Sequence, residues 1–129
     1  MNAELLHWNL LFAWGWIFLG FVSGAVMGLC FHREGWLGGY GSWPRRMLRL
    51  GHISFFGLGV TNLAFWITAR LLPAAPASLD VAAIAFMAGG ATMPLCCALS
   101  AFVRPARHLF AVPVVSLLIA GGATFLALL

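Results

Sequence analysis

The sequence predicts an all-α fold, an integral membrane up-down four-helix bundle. Three observations carry that expectation. Of 129 residues, 63% are hydrophobic and 8% are charged, whereas a soluble domain carries about 25% charged residues. So few charges cannot cover a globule in water, and lipid must be the solvent for most of this surface. Four stretches, about 8–31, 50–72, 79–103 and 108–129, meet the need for roughly 20 apolar residues per span. The connections "HREGWLGGYGSWP", "LPAAPAS" and "RPAR" are short, and short connections make neighbouring helices antiparallel. The length suits one domain, 1–129.

The first span, Trp8 to Phe31, follows Glu4 with no Lys or Arg before it. Its apolar run of about 24 residues exceeds the core of a signal peptide, so it reads as a retained span. Gly20, Gly24 and Gly28 recur every four residues. They form a flat strip that lets another backbone approach closely, from a neighbouring helix or another subunit.

The second span, Leu50 to Leu72, is preceded by Ser42 as a helix cap and Pro44 in the first turn. One face of this helix gathers Arg45, Arg49, His52, Phe56, Gly59, Leu63, Trp66 and Arg70, with Asn62 on its flank. Pro73 and Pro76 end it.

The third span, Leu79 to Val103, has Ser78 as its expected cap and Asp80 near the positive helix end. The fourth, His108 to Leu129, follows Pro105 and ends apolar, without a soluble tail. Pro94 and Pro113 lie inside these spans and are expected to kink them, with neighbours re-satisfying the freed carbonyls. Both helices contain "AGGAT", at Ala88–Thr92 and Ala120–Thr124. The helices do not match outside it, so coincidence or shared packing accounts for it better than duplication.

Arginine placement sets the expected orientation. The first connection carries Arg33, Arg45, Arg46 and Arg49, and the third carries Arg104 and Arg107. The second has only Arg70 at its edge, facing Asp80. Positive residues stay cytoplasmic, which puts both termini on the outer, periplasmic side of a bacterial inner membrane. Trp8, Trp14 and Trp16 read as outer-interface anchors, with Trp66 at the outer end of helix two; Trp36, Tyr40 and Trp43 serve the cytoplasmic side.

This arrangement explains the basic balance, seven Lys+Arg against three Asp+Glu, without nucleic acid. Arg45, Arg46, Arg49, Arg104 and Arg107 form a cytoplasmic face suited to anionic lipid phosphates or an acidic partner surface. Cys30, Cys96 and Cys97 lie in apolar runs without zinc spacing and read as small buried residues. No carboxylate sits at mid-membrane, which argues against an ion-coupled transporter or an ion channel. The serines in the spans have no adjacent base, so no catalytic residue is expected.

His52, His108 and His32 fall at similar depth near the cytoplasmic boundary. They are the candidate cofactor residues, able to ligate a haem b or hydrogen-bond a quinone. The competing reading is that histidine is amphipathic and sits comfortably at an interface. No metal site is expected. Asn62 is expected to hydrogen-bond across helices, and Gly59 of helix two is expected to be a helix-packing residue.

In size, helix count and boundary histidines the chain is similar to the small four-helix anchor subunits of respiratory enzymes, some of which carry haem b. That likeness transfers no individual residue. The function expected is a non-catalytic accessory or anchor subunit of a larger, energy-transducing bacterial membrane complex. The alternative is a haem b- or quinone-binding electron-transfer protein, and the third a small transporter. Partners would be other membrane subunits and anionic lipid head groups, with no nucleic acid.

Overall fold

The computed structural model describes residues 1–72 and 76–129. Four helices carry the chain: α1 (Ala3–Phe31), α2 (Trp43–Leu71), α3 (Ser78–Phe102) and α4 (Ala111–Leu126). Tight 3₁₀ turns at Trp36–Gly38 and Arg104–Phe110 join α1 to α2 and α3 to α4. No strand occurs among the described residues. With the turn preceding α4 included, each of the four helical segments is long and apolar enough to cross a membrane. The chain is an integral membrane protein built as a helical bundle.

The helix starts follow local chemistry more closely than hydropathy. α1 begins five residues before the expected Trp8, because Asn2 caps it. The Asn2 Oδ1 accepts the N–H groups of Glu4 at 2.9 Å and Leu5 at 3.5 Å, and Glu4 complements the positive helix end. α2 begins at Trp43 under the Ser42 cap, whose Oγ accepts from the Arg45 N–H, with Pro44 in the first turn. At 29 residues each, α1 and α2 run about 43 Å, longer than the roughly 30 Å hydrocarbon core. Their polar ends therefore stand in the head-group region.

Three expectations change. Ala77, not Ser78, precedes α3, and it makes no side-chain cap. Asp80 accepts the Asn2 backbone N–H at 2.8 Å, while Arg70 lies 5.9 Å over the Trp66 ring. Pro113 sits in the first turn of α4, which starts only at Ala111, where its missing N–H costs least. Pro73 lies outside the described residues.

α1, α2 and α3 pack against one another, with α2 in the middle, and α4 packs along α3. α3 is the most buried helix. The main apolar cluster lies at the end holding both termini: Leu6, Phe65, Ala69, Leu79, Ala82, Ala83, Phe86 and Ala120. Most large apolar side chains point outward, Phe18, Leu29, Leu95, Leu118 and Phe125 among them, as a lipid-facing surface requires.

Glycine sets the helix spacing. A Cβ on Gly59 would stand 3.0 Å from the Ala13 carbonyl of α1, and one on Gly20 would stand 2.8 Å from the Phe56 ring of α2. Gly51 brings α2 against Cys97 of α3, and Gly89 brings α3 against Leu117 and the Pro113 carbonyl of α4. Gly28 has open space around it, as do Gly121 and Gly122. The two "AGGAT" segments thus meet different surroundings: Gly89 and Gly90 are packed, whereas Gly121 and Gly122 face outward.

Candidate functional site

The polar groups of the spans resolve into three internal ties and one cavity. The most buried tie joins α1 to α2. Asn9 and Asn62 are both fully buried, and the Asn9 amide donates to the Asn62 Oδ1 at 2.7 Å. Asn62 spends its own N–H groups on the Leu58 carbonyl at 2.8 Å and the Phe86 carbonyl of α3 at 3.4 Å. The Asn9 Oδ1 has no partner among the described residues. Sequence reasoning found Asn62 but missed Asn9, although Asn9 lies inside the expected span. The Asn2 cap, which starts α1 at Ala3, puts Asn9 two turns into the helix.

The second tie follows from Pro94. A proline at position i leaves the carbonyl at i−4 without its helical donor, and here that carbonyl belongs to Gly90. The Trp16 indole of α1 donates to it at 2.9 Å. Trp16 stacks on Phe12 with centroids 3.9 Å apart, and Phe12 rests on Gly90, where a Cβ would meet its ring at 2.7 Å. Trp16 is therefore not an interface anchor like the exposed Trp8 and Trp14. It supplies the hydrogen bond that Pro94 leaves unmade in α3.

The third tie closes the basic end. The Trp43 indole donates to the Ser100 carbonyl at 2.6 Å, joining the start of α2 to the end of α3. Arg45 is only 5% exposed. Its guanidinium lies 5.0–5.6 Å from the Phe31, Trp36 and Tyr40 rings and donates to the Glu34 carbonyl at 3.3 Å. Arg49 stacks on Tyr40 at 4.0 Å and donates to its carbonyl. Leu37, Gly38 and Gly39 have positive φ, which folds the loop back over both arginines. Of the five arginines expected to meet lipid or a partner, Arg45 is thus enclosed by the loop and Arg49 half-buried. Arg46, Arg104 and Arg107 stay exposed.

The cavity lies between α1, α2 and α3 and measures about 390 Å³. Trp16, Leu19 and Met27 line it from α1, Leu48, His52 and Phe55 from α2, and Ala91, Pro94, Leu95 and Ala98 from α3. Its walls are apolar apart from Ser23 and His52. The His52 Nδ1 is 3.0 Å from the Ser23 Oγ, which also lies 3.0 Å from the Gly20 carbonyl. The imidazole rests edge-on against Phe56 and fits over Gly24, where a Cβ would stand 2.8 Å from its Cε1.

The three boundary histidines do not share this space. His32 and His108 are exposed, and neither lines the cavity. His108 instead borders a smaller recess of about 240 Å³ with Arg104, Pro105 and Arg107. Similar depth in a helical wheel places side chains at one level, but their azimuth decides whether they meet. Among the described residues no group of three or more His, Cys, Asp or Glu side chains could hold a metal ion. The three cysteines are free.

No protein-family model, curated protein or solved structure matches this chain.

Proposed function

We propose that this chain is a non-catalytic accessory or anchor subunit of a larger, energy-transducing membrane complex in a bacterial inner membrane. One observation carries the reading: the amides and indoles within the spans hold helices together, while the hydroxyls of Ser54, Thr61, Thr68, Thr92 and Thr124 bond back to carbonyls of their own helices. Asn9, Asn62, Trp16 and Trp43 all bond across helices, which leaves no string of polar groups along which an ion could cross. Transport ranks last for that reason. What remains for contact is the outside. α4 is packed on one side only, by α3, and Gly121 and Gly122 offer a surface a foreign helix can approach closely. Arg46, Arg104 and Arg107 stand free to meet anionic lipid phosphates.

The test is purification in mild detergent from the native membrane. The expected result is a fixed stoichiometry with larger membrane subunits, weakened by Gly122→Leu and unaffected by Val26→Leu on the lipid face of α1. Migration as a lone 13.9 kDa chain would sink the reading.

A second reading, a quinone- or haem-binding electron-transfer protein, is favoured by the His52 cavity. For haem the cavity offers a single histidine. A dithionite-reduced haem band lost in His52→Ala would establish that cofactor, and a pigment-free protein would exclude it.

A further inference from the structure

We infer that the His52 cavity binds a lipid-soluble hydroxyl donor with an aromatic head group, a hydroquinone, in preference to its oxidised quinone. This deepens the second reading and rests on the cavity being a ligand site. It is independent of whether the chain belongs to a complex.

The volume of about 390 Å³ falls within the roughly 300–1,000 Å³ of small-molecule sites. Leu19, Leu95 and Ala98 are lining residues that are also exposed on the lipid-facing surface, so the mouth opens sideways into the bilayer. Trp16 and Phe55, edge-to-face at 5.9 Å, and the imidazole present aromatic surfaces on two helices. A flat ring has favourable contacts there.

Hydrogen-bond bookkeeping then decides which oxidation state fits. A serine hydroxyl has one hydrogen. We assign that hydrogen to the Gly20 carbonyl; in the tautomer that goes with it, the Ser23 lone pair accepts the Nδ1–H of His52. Neutral His52 then carries a bare lone pair on Nε2, which has no partner among the described residues. The Trp16 N–H is already spent on Gly90. The cavity therefore offers an acceptor and no free donor. A hydroquinone O–H satisfies that acceptor. A quinone brings only carbonyl lone pairs, which face the nitrogen lone pair without a hydrogen between them.

The experiment titrates the whole chain in nanodiscs, anaerobically, with a decyl-substituted hydroquinone, followed by calorimetry. The matching quinone, the dimethyl ether of the hydroquinone and a short-chain diacylglycerol are run beside it. The hydroquinone should bind about tenfold more tightly than the quinone or the ether, the size of one hydrogen bond. His52→Phe should remove that preference, whereas His52→Gln, which keeps an acceptor, should retain part of it. Ala98→Phe fills the cavity from α3 while leaving His52 in the sequence, and should abolish binding of every probe. Circular dichroism and a single elution peak establish that each variant is folded.

Equal affinity for quinone and hydroquinone, or a preference that survives in His52→Phe, overturns the assignment of the acceptor. Diacylglycerol binding as tightly as the hydroquinone overturns the aromatic head group. No binding of any probe removes the ligand reading itself, an outcome distinct from the loss of preference.

Discussion

Gly57 and Gly59 stand two residues apart on α2 and differ in what surrounds them. Gly57 has nothing within 4 Å of where a Cβ would lie, while Gly59 would meet the Ala13 carbonyl at 3.0 Å and the Ile17 N–H at 3.1 Å. Backbone cannot swing aside as a side chain can. Gly59→Ala should therefore destabilise the bundle by about 1–3 kcal/mol, as overpacking does. Gly57→Ala should be neutral or gain up to roughly 1 kcal/mol from helix propensity. Unfolding in mixed detergent micelles reads the difference, and equal effects would refute the close α1–α2 approach. The Asn9–Asn62 pair invites a double-mutant cycle with alanine at each site. A coupling of about 0.6–2 kcal/mol is expected for an interhelical bond of this kind. A coupling indistinguishable from zero would mean the two amides do not bond. Asn62 was legible in the sequence as a polar group in need of a partner. Its partner was not, because pairing depends on the rotation of α1 about its own axis.

At the scale of an element, Pro94 and Trp16 act as one unit. Pro94→Ala restores a donor to the Gly90 carbonyl and so competes with the Trp16 indole. Trp16→Phe should cost about 0.5–1.5 kcal/mol of hydrogen bonding in the native background and less when alanine stands at 94. The same stability measurement on the four proteins gives that difference, and identical costs in both backgrounds would separate the indole from the proline. The loop between α1 and α2 is the second such element, with Arg45 at its centre. Arg45→Lys keeps the charge but loses the planar group that three aromatic rings flank. Trypsin cleavage after Arg33 should become several-fold faster, and an unchanged rate would show that the arginine does not hold the loop. Arginine at this boundary is what topology demands, so its enclosure could not be read from the sequence.

For the whole molecule, the arrangement is three helices in mutual contact with a fourth attached to α3. Ending the chain at Val103 removes α4 while leaving the Asn9–Asn62, Trp16–Gly90 and Trp43–Ser100 ties in place. The shortened protein should keep α1–α3 helical by circular dichroism, at lower stability because Ala120 leaves the apolar cluster and Gly89 is uncovered. Loss of all helical signal would show that α4 is required for the fold. The exposed glycines of α4 and the exposed Arg46, Arg104 and Arg107 remain on the outside of the bundle.

The sequence by itself determined the solvent, the number of spans and the alternation of their direction. Composition, run length and short connections each act over one helix at a time. It also determined that Ser42 and Pro44 would start a helix and that Pro94 would leave a carbonyl without its helical donor, since caps and missing N–H groups are local. Only the tertiary structure decided which side chains meet. It turned Trp16 from the lipid to Gly90, buried Asn9 against Asn62, and closed the loop over Arg45. It separated His52 from His32 and His108 and set it against Ser23 beside a cavity. The physical reason is common to all of these. In lipid nearly every face of a helix is apolar, so hydrophobic periodicity carries little information about rotation. Glycine clearances and a few buried hydrogen bonds then choose the azimuth, and those exist only once the helices are side by side.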